Sequence, residues 1–364
     1  MFNIPIDRFS ADYRTIAEKV LAEERITEAE GMFLFESNEL GLLSVLANHI
    51  RERRHGKNTY FIRNIHIEPT NICAYNCKFC SYRSKNQTDG WEFNEEEMIE
   101  KIKKADKSIR EVHIVGGTHP DRDLNYYINI IKKICEAFPL LHIKAFSAVE
   151  VEFMIEKSGL TIKDGLTQLK AAGLNSIPGG GAEIFDENIR KQICDRKTKS
   201  SQWLAIHEAA HNAGIPSNAT MLYGHIENYK HRIDHLNRLR QLQDRTAGFQ
   251  AFIPLKYKNK NNEMQDLKEV SVIEDMKNYA VSKIFLDNFE HIKAYWPMLG
   301  RQSAQLALSF GVDDMDGTID DSTKIYSSAG AEEQSPSMMA DEMSQLIEAT
   351  GRTPVERDAL YNKI

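Results

Sequence analysis

No stretch of this 364-residue chain approaches the roughly 18 consecutive apolar residues that a membrane-spanning helix needs. Residues 1–11 lack the basic segment followed by an apolar one that marks a secretory leader. Both absences lead to the expectation of a cytoplasmic protein without a membrane partner. A basic surplus is missing too: 46 Lys and Arg stand against 53 Asp and Glu, a net charge of −7, so nucleic acid is not an expected partner. Cysteine is scarce. There are five, an odd number with three inside eight residues, which argues against a disulfide framework and fits a reducing compartment. No G-x-G-x-x-G follows the first predicted strand and no Walker Lys-Ser/Thr follows a glycine run, so the two common nucleotide signatures are absent.

What is present first is alternation. Residues 10–54 repeat apolar positions at three-to-four spacing and predict a helical layer, a candidate dimer surface. From residue 64 short apolar strands alternate with helical segments, the pattern of a parallel β/α fold. Strands are predicted at 64–70, 111–117, 142–147, 176–181, 217–224 and 248–255, with weaker ones near 291–296 and 311–313. Amphipathic helices are predicted between them, at 95–107, 124–138, 200–213, 229–244 and 270–286. The expected fold class is α/β, a (β/α) barrel of partial or full TIM type with an N-terminal helical layer and a C-terminal helical tail; a Rossmann sheet ranks below it. Residues 327–338 read as a linker before helices at 339–350 and 354–362. The implied division is 1–60, 61–315 and 316–364.

The densest chemistry lies at 64–91, where Cys73, Cys77 and Cys80 form C-x3-C-x2-C on a loop after a strand. Three thiolates are a partial metal cage. Structural zinc wants a fourth protein ligand and an electron-transfer cluster four cysteines, whereas Cys135 and Cys194 have no partner spacing. Three ligands suit a [4Fe–4S] cluster with one iron open to an exogenous ligand; a zinc loop completed by His66 or a distant thiol, or a set of plain core thiols, is the alternative.

In a β/α barrel chemistry sits at the C-terminal ends of the strands. The first strand alternates Asn64, His66, Glu68 and Thr70 with Ile65 and Ile67, so its polar face should look into the barrel. Gly116, Gly117 and Thr118 end the second strand, where glycine allows close backbone approach. Ser147 and Glu150 end the third, with Glu150 alternatively a plain helix N-terminal acid. The run Pro178-Gly179-Gly180-Gly181-Ala182-Glu183 is too poor in side chains to serve packing. Asn218, Tyr223 and His225 surround the fifth strand end, His225 as a candidate proton donor or carboxylate contact. Ile253 sits in an apolar sixth strand suited to one face of adenine. Residues 313–318, DDMDGT, lack the length and closing Glu of an EF-hand and read as a polar turn closing over substrate.

The segments HIEPTNICAYNCKFCSYR, HIVGGTHP, SIPGGGAEIF, SNATMLYGHIE, DHLNRLRQLQDRTAGFQAFIPL and GVDDMDGT resemble the aminodeoxyfutalosine synthase family of radical S-adenosylmethionine (SAM) enzymes, from about residue 61 to 330. The sister cyclic dehypoxanthinyl futalosine synthases share PGGGAE; residues 221–225 and 313–318 favour the former. The resemblance implies a [4Fe–4S] cluster on Cys73, Cys77 and Cys80, and SAM consumed as co-substrate. It assigns SAM to Tyr82, Gly116, Gly117, Thr118, Ser147, Glu150, Glu183 and Ile253, with Thr118 replacing the usual acid of a Gly-Gly-Glu segment. It further implies addition of the 5′-deoxyadenosyl radical to the small-molecule substrate 3-[(1-carboxyvinyl)oxy]benzoate, on the way to menaquinone, with an electron donor such as flavodoxin or ferredoxin. His66, Glu68 and His225 become catalytic candidates. Asn218, Tyr223 and Arg301 become substrate contacts, with His66, His225, Arg196 and Arg232 as further carboxylate partners. The sister cyclase, a noncatalytic metal-binding scaffold and a nucleotide-binding regulatory barrel are the other readings.

Overall fold

The computed structural model describes residues 9–84, 87–320, 323–332 and 334–364. Its strands are β1 (Asn58–Ile62), β2 (Asn64–Ile67), β3 (Glu111–Ile114), β4 (His142–Ala145), β5 (Ser217–Tyr223), β6 (Phe249–Lys256), β7 (His291–Ile292), β8 (Asp314–Gly317) and β9 (Thr353–Glu356). All pairings between them are parallel, in the orders β2-β3-β4, β5-β6-β7 and β8-β1-β9. Single bridges join the three sets: Lys144 with Ser176, Ile177 with Ser217, and Lys293 with Asp314. Because β1 and β2 form one run broken at Arg63, these pairings trace a closed ring, a full β/α barrel.

Register explains the interior. His66 lies opposite His113 and His113 opposite Lys144; two residues earlier Asn64, Glu111 and His142 line up likewise. Paired residues of parallel strands point the same way, so polar side chains stack inward in layers while Ile65, Ile67, Val112, Ile114 and Ile143 meet the outer helices. This is the orientation expected from the alternation of the first strand. The helices start where short polar side chains satisfy free backbone N–H groups. Thr27 with Glu30, Asn94 with Glu97 and Ser147 with Glu150 each form a reciprocal cap.

The N-terminal helices cover one side. Leu40–His55 packs on Val272–Phe285, and Glu28–Glu36 reaches the barrel helices at Gly31, where a Cβ would stand 2.7 Å from the Ile233 side chain. At the N-terminal ends of the strands a knot of charges fills the barrel. Asp313 accepts from His291 Nδ1 at 2.5 Å and faces the Lys283 ammonium at 3.4 Å, with His55 Nε2 3.6 Å away. Arg357 clasps Asp314 at 2.6 and 2.7 Å, and Tyr361 stacks on His291 with ring centres 3.6 Å apart.

Three expectations need correction. Residues 313–318 are largely strand rather than a polar turn closing over substrate: Asp313, Asp314 and Asp316 are buried in and beside β8, each facing a buried base, and Asp316 lines the barrel cavity. Residues 354–362 hold no helix. Thr353–Glu356 pairs with β1 instead, with Pro354 tolerated because β9 is an edge strand. Residues 176–181 supply only the two bridges at Ser176 and Ile177; Pro178 lacks an N–H for the ladder.

Candidate active site

The C-terminal ends of the strands open into a cavity of about 280 Å³. Cys80 lies on its wall, together with Phe79, Ser81 and Tyr82. The cysteine loop is held on three sides. Ala74 N–H donates to Thr118 O at 2.8 Å, Lys78 N–H to Ile193 O at 2.8 Å and Glu263 N–H to Lys78 O at 2.9 Å. Gly117 makes room for this loop, since a Cβ there would stand 2.3 Å from Ile72 O. Its glycine therefore serves the cysteine loop and lies outside the cavity wall, as does Thr118, whose N–H donates to Cys73 Sγ at 3.4 Å.

The donor set distinguishes a cluster from a zinc ion. Among the described residues the one group of three potential ligand atoms all within 4.8 Å is His55, His291 and Asp313. The three cysteine sulfurs therefore do not close to the roughly 3.8 Å edge of a tetrahedron with Zn–S bonds of about 2.3 Å. Sulfurs bound to different irons of one cluster stand further apart than sulfurs on one ion, so the residues fit an iron–sulfur cluster. Burial raises the thiols of Cys77 and Cys80, so a cationic group is needed to draw the thiolates out. Burial also works against the Lys197 ammonium, but Glu183, at 2.5 Å, and the neighbouring Cys77 and Cys194 hold its pKa above the usual value. The trio of His55, His291 and Asp313 already holds the Lys283 ammonium as its countercharge.

Around the cavity, Gly116 N–H donates to Glu150 Oε1 at 3.1 Å, while Glu150 Oε2 accepts from Ser147 N–H and Oγ. Glu150 is thus both a helix cap and a wall residue, with burial pushing its carboxyl up to about 7. Gly179, Gly180 and Gly181 line the wall; Gly179 also lets β5 come close, with Asn218 O 2.6 Å from its would-be Cβ. Tyr82, Gly116, Ser147, Glu150, Glu183, Asn218, Ile253 and His66 share this one cavity. Burial lowers the His66 imidazole to about 4, so it is neutral near pH 7.

Other sequence candidates point elsewhere. Glu68, two residues past His66 on the same face, turns to the segment after β8. It accepts from Thr323 Oγ at 2.5 Å, Lys324 N–H at 2.7 Å and Ile325 N–H at 3.1 Å, and so fixes Ile325 and Tyr326, which do line the cavity. His225 lies outside the wall because Glu227 accepts the N–H groups of Gly224 and His225 and pairs with Arg232, folding the turn back. Tyr223 donates to Asp275 at 2.8 Å behind the wall. Arg301 stacks over Trp296, bonds Ser337 O at 2.9 Å and is likewise outside; Arg196 is exposed.

Sequence reasoning missed the lysines. Lys144, Lys197, Lys256, Lys258 and Lys293 all reach the wall; a Lys inside an apolar strand, as in His142–Ala145, was the available signal. Lys144 pairs with Glu111 at 2.5 Å and Lys293 with Asp316 at 2.7 Å. His113 was missed as well. It lines the cavity with its ring centre 4.4 Å from that of His66, and its buried Nε2 has no hydrogen-bond partner among the described residues, which suits a polar ligand.

A closed parallel barrel with a three-cysteine loop at its mouth defines the class. The radical SAM superfamily model matches residues 67–239 and the CofH/MqnC C-terminal region model residues 246–364. The chain belongs to the radical SAM superfamily, in the group carrying that C-terminal region, and so is expected to bind SAM and an iron–sulfur cluster. Within the group it is similar to the aminodeoxyfutalosine synthase of Thermus thermophilus, 40% identical over 96% of this chain and 95% of that one. It is also 40% identical to the 5-amino-6-(D-ribitylamino)uracil–L-tyrosine 4-hydroxyphenyl transferase of Methanococcus aeolicus, over 93% of this chain and 96% of that one. Methylornithine synthase shares the fold, with a TM-score of 0.76 at 16% identity over 93% of this chain and 97% of that one.

Proposed function

We propose that the protein is an aminodeoxyfutalosine synthase. It joins the 5′-deoxyadenosyl group of SAM to 3-[(1-carboxyvinyl)oxy]benzoate, with release of methionine and carbon dioxide, giving 6-amino-6-deoxyfutalosine. The observation that carries this reading is the end-to-end likeness to a synthase of that name, on a barrel whose mouth holds the three-cysteine loop. Cys73, Cys77 and Cys80 would hold a [4Fe–4S] cluster, which when bound would supply the electron for cleavage of SAM, with a flavodoxin or ferredoxin of a reducing cytoplasm as donor.

The chain's own residues then bind, orient and exclude water. Gly116 and the Ser147–Glu150 cap offer backbone and carboxylate contacts to SAM, and Ile253 offers an apolar face to adenine. Neutral His66 serves as a hydrogen-bonding wall group rather than a proton store at pH 7. The compensated pairs Lys144–Glu111 and Lys293–Asp316 give the interior fixed dipoles with no net charge of their own.

The test is product analysis. Protein reconstituted anaerobically with iron and sulfide is reduced and given SAM with the carboxyvinyloxybenzoate. An adduct carrying adenine, ribose and benzoate supports the reading. Only 5′-deoxyadenosine moves the substrate to the sister cyclase. Product formed instead from tyrosine and 5-amino-6-(D-ribitylamino)uracil favours the reaction named for the Methanococcus relative.

A further inference from the structure

Across β2, β3 and β4 one register position brings three polar side chains side by side: His66 stands opposite His113, and His113 opposite Lys144. All three line the cavity, while Val112 and Ile114, the neighbours of His113 on β3, are buried in the hydrophobic core. Alternation along the strand therefore turns His113 inward. Gly116, also on the wall, follows three residues later toward the mouth, so the His113 layer is the deeper part of the cavity.

The polar neighbours of His113 have partners. Lys144 donates to Glu111 at 2.5 Å and Lys293 to Asp316 at 2.7 Å. His66 Nε2 lies 3.4 Å from the Asn64 amide nitrogen, and its ring stacks against Tyr295 with centres 6.0 Å apart. His113 differs: its buried Nε2 has no hydrogen-bond partner among the described residues. A buried polar group left unpaired costs free energy, and a ligand that pairs with it removes that cost. Burial, with His66 and Lys144 as neighbours, holds the imidazole well below its ordinary pKa, so the ring is neutral at pH 7 and offers one N–H donor. Flat aromatic surface is close by. Tyr295, in ring contact with His66, also meets Tyr326 with centres 5.1 Å apart, and both tyrosines line the cavity. A buried donor next to aromatic wall, beside an ammonium with donors to spare, matches an aromatic ring that carries a carboxylate.

We propose that His113 sets substrate specificity by donating a hydrogen bond to a carboxylate of the aryl substrate, deep in the cavity, with the Lys144 ammonium beside it. The assignment rests on the synthase reading above and supplies a polar substrate contact that His225 and Arg301, both outside the wall, do not provide. His113 holds one end of the substrate below the strand ends, and Tyr295 and Tyr326 pack against its ring.

The test measures equilibrium binding and stability, so that it does not depend on turnover. Reconstituted enzyme with SAM is titrated with 3-(carboxymethoxy)benzoate, an unreactive diacid, and with the monoacids 3-methoxybenzoate and phenoxyacetate. His113→Leu removes the donor and is expected to weaken the diacid about 10- to 100-fold, the range of a hydrogen bond to a charged group. It should weaken one monoacid alike, leave unchanged the one that lacks the contacted carboxylate, and keep wild-type affinity for SAM. Unfolding in the absence of the acids separates this role from a structural one. Because the buried nitrogen has no partner to lose, His113→Leu should unfold at a denaturant midpoint no lower than that of wild type. His113→Gln retains an N–H donor, should recover most of the diacid affinity, and guards against a packing defect from the change of shape. Diacid affinity within twofold of wild type in His113→Leu, equal weakening of both monoacids, a midpoint lowered in both variants, or no diacid binding by wild type would overturn the proposal. Diacid binding that follows His113 in an enzyme that forms no adduct would overturn the synthase reading and leave this one standing.

Discussion

The two ends of the barrel hold buried charge in comparable amount and put it to opposite use. At the N-terminal end every charge is closed off: Asp313 meets His291 and Lys283, Asp314 meets Arg357, and Tyr361 covers His291. At the C-terminal end the pairs Lys144–Glu111, Lys197–Glu183 and Lys293–Asp316 stand on the wall of a cavity. A closed knot of buried ions specifies how strands and tail come together, since removing one member strands the other. An open set leaves binding capacity for a ligand. Burial of a charged group does not by itself mark a site; standing on the wall of a cavity does.

The sharpest contrast comes from removing one residue at each end. Cys77→Ala is expected to abolish adduct formation and the iron absorption of the reconstituted protein. Arg357→Met should instead lower stability by about 3–5 kcal/mol, the cost of leaving Asp314 buried and uncompensated, while turnover per folded molecule stays at the wild-type value. Denaturant titration alongside iron analysis checks both. Loss of cluster in Arg357→Met would break the comparison.

A smaller effect is expected at Gly117, where an added methyl meets the Ile72 carbonyl. Gly117→Ala should displace the cysteine loop and reduce iron incorporation severalfold, read as iron per chain, with little change in stability. Gly31→Ala, against the Ile233 and Phe285 side chains, should do the reverse, costing about 1–3 kcal/mol by overpacking and leaving iron content alone.

The smallest effect concerns pH. Burial pushes Glu68 up to about 7, against three donors that favour its ionised form. A carboxyl whose folded pKa lies above its unfolded value contributes stability at low pH that is lost as pH rises from about 4.5 through about 7. Glu68→Gln should lack this slope, so wild type is expected to lose about 2 kcal/mol relative to the variant over that range. Parallel pH slopes would show that Glu68 does not titrate there.

Much of the architecture was legible because periodicity and function agree along this chain. The alternation of Asn64, His66 and Glu68 with Ile65 and Ile67 announced an inward polar face, and C-x3-C-x2-C announced the cluster loop. What escaped was set by partners distant in sequence. Asp313–Asp314 reads as turn chemistry until His291, Lys283 and Arg357 are brought beside it. His225 looked exposed to substrate until Glu227 and Arg232 drew it back. Lys144 of β4 was silent because a Lys in a strand most often extends to solvent; only a closed barrel turns it inward. Pro354 hid β9, since proline argues against a strand except at an edge.

The central claim is that the mouth of this barrel carries an iron–sulfur cluster with one position open to SAM. Electron paramagnetic resonance of the reconstituted, reduced protein tests it most directly. A [4Fe–4S]⁺ signal is expected that changes shape when SAM is added and is absent from Cys77→Ala. A signal indifferent to SAM, or protein that binds one zinc per chain and builds no cluster, would contradict it.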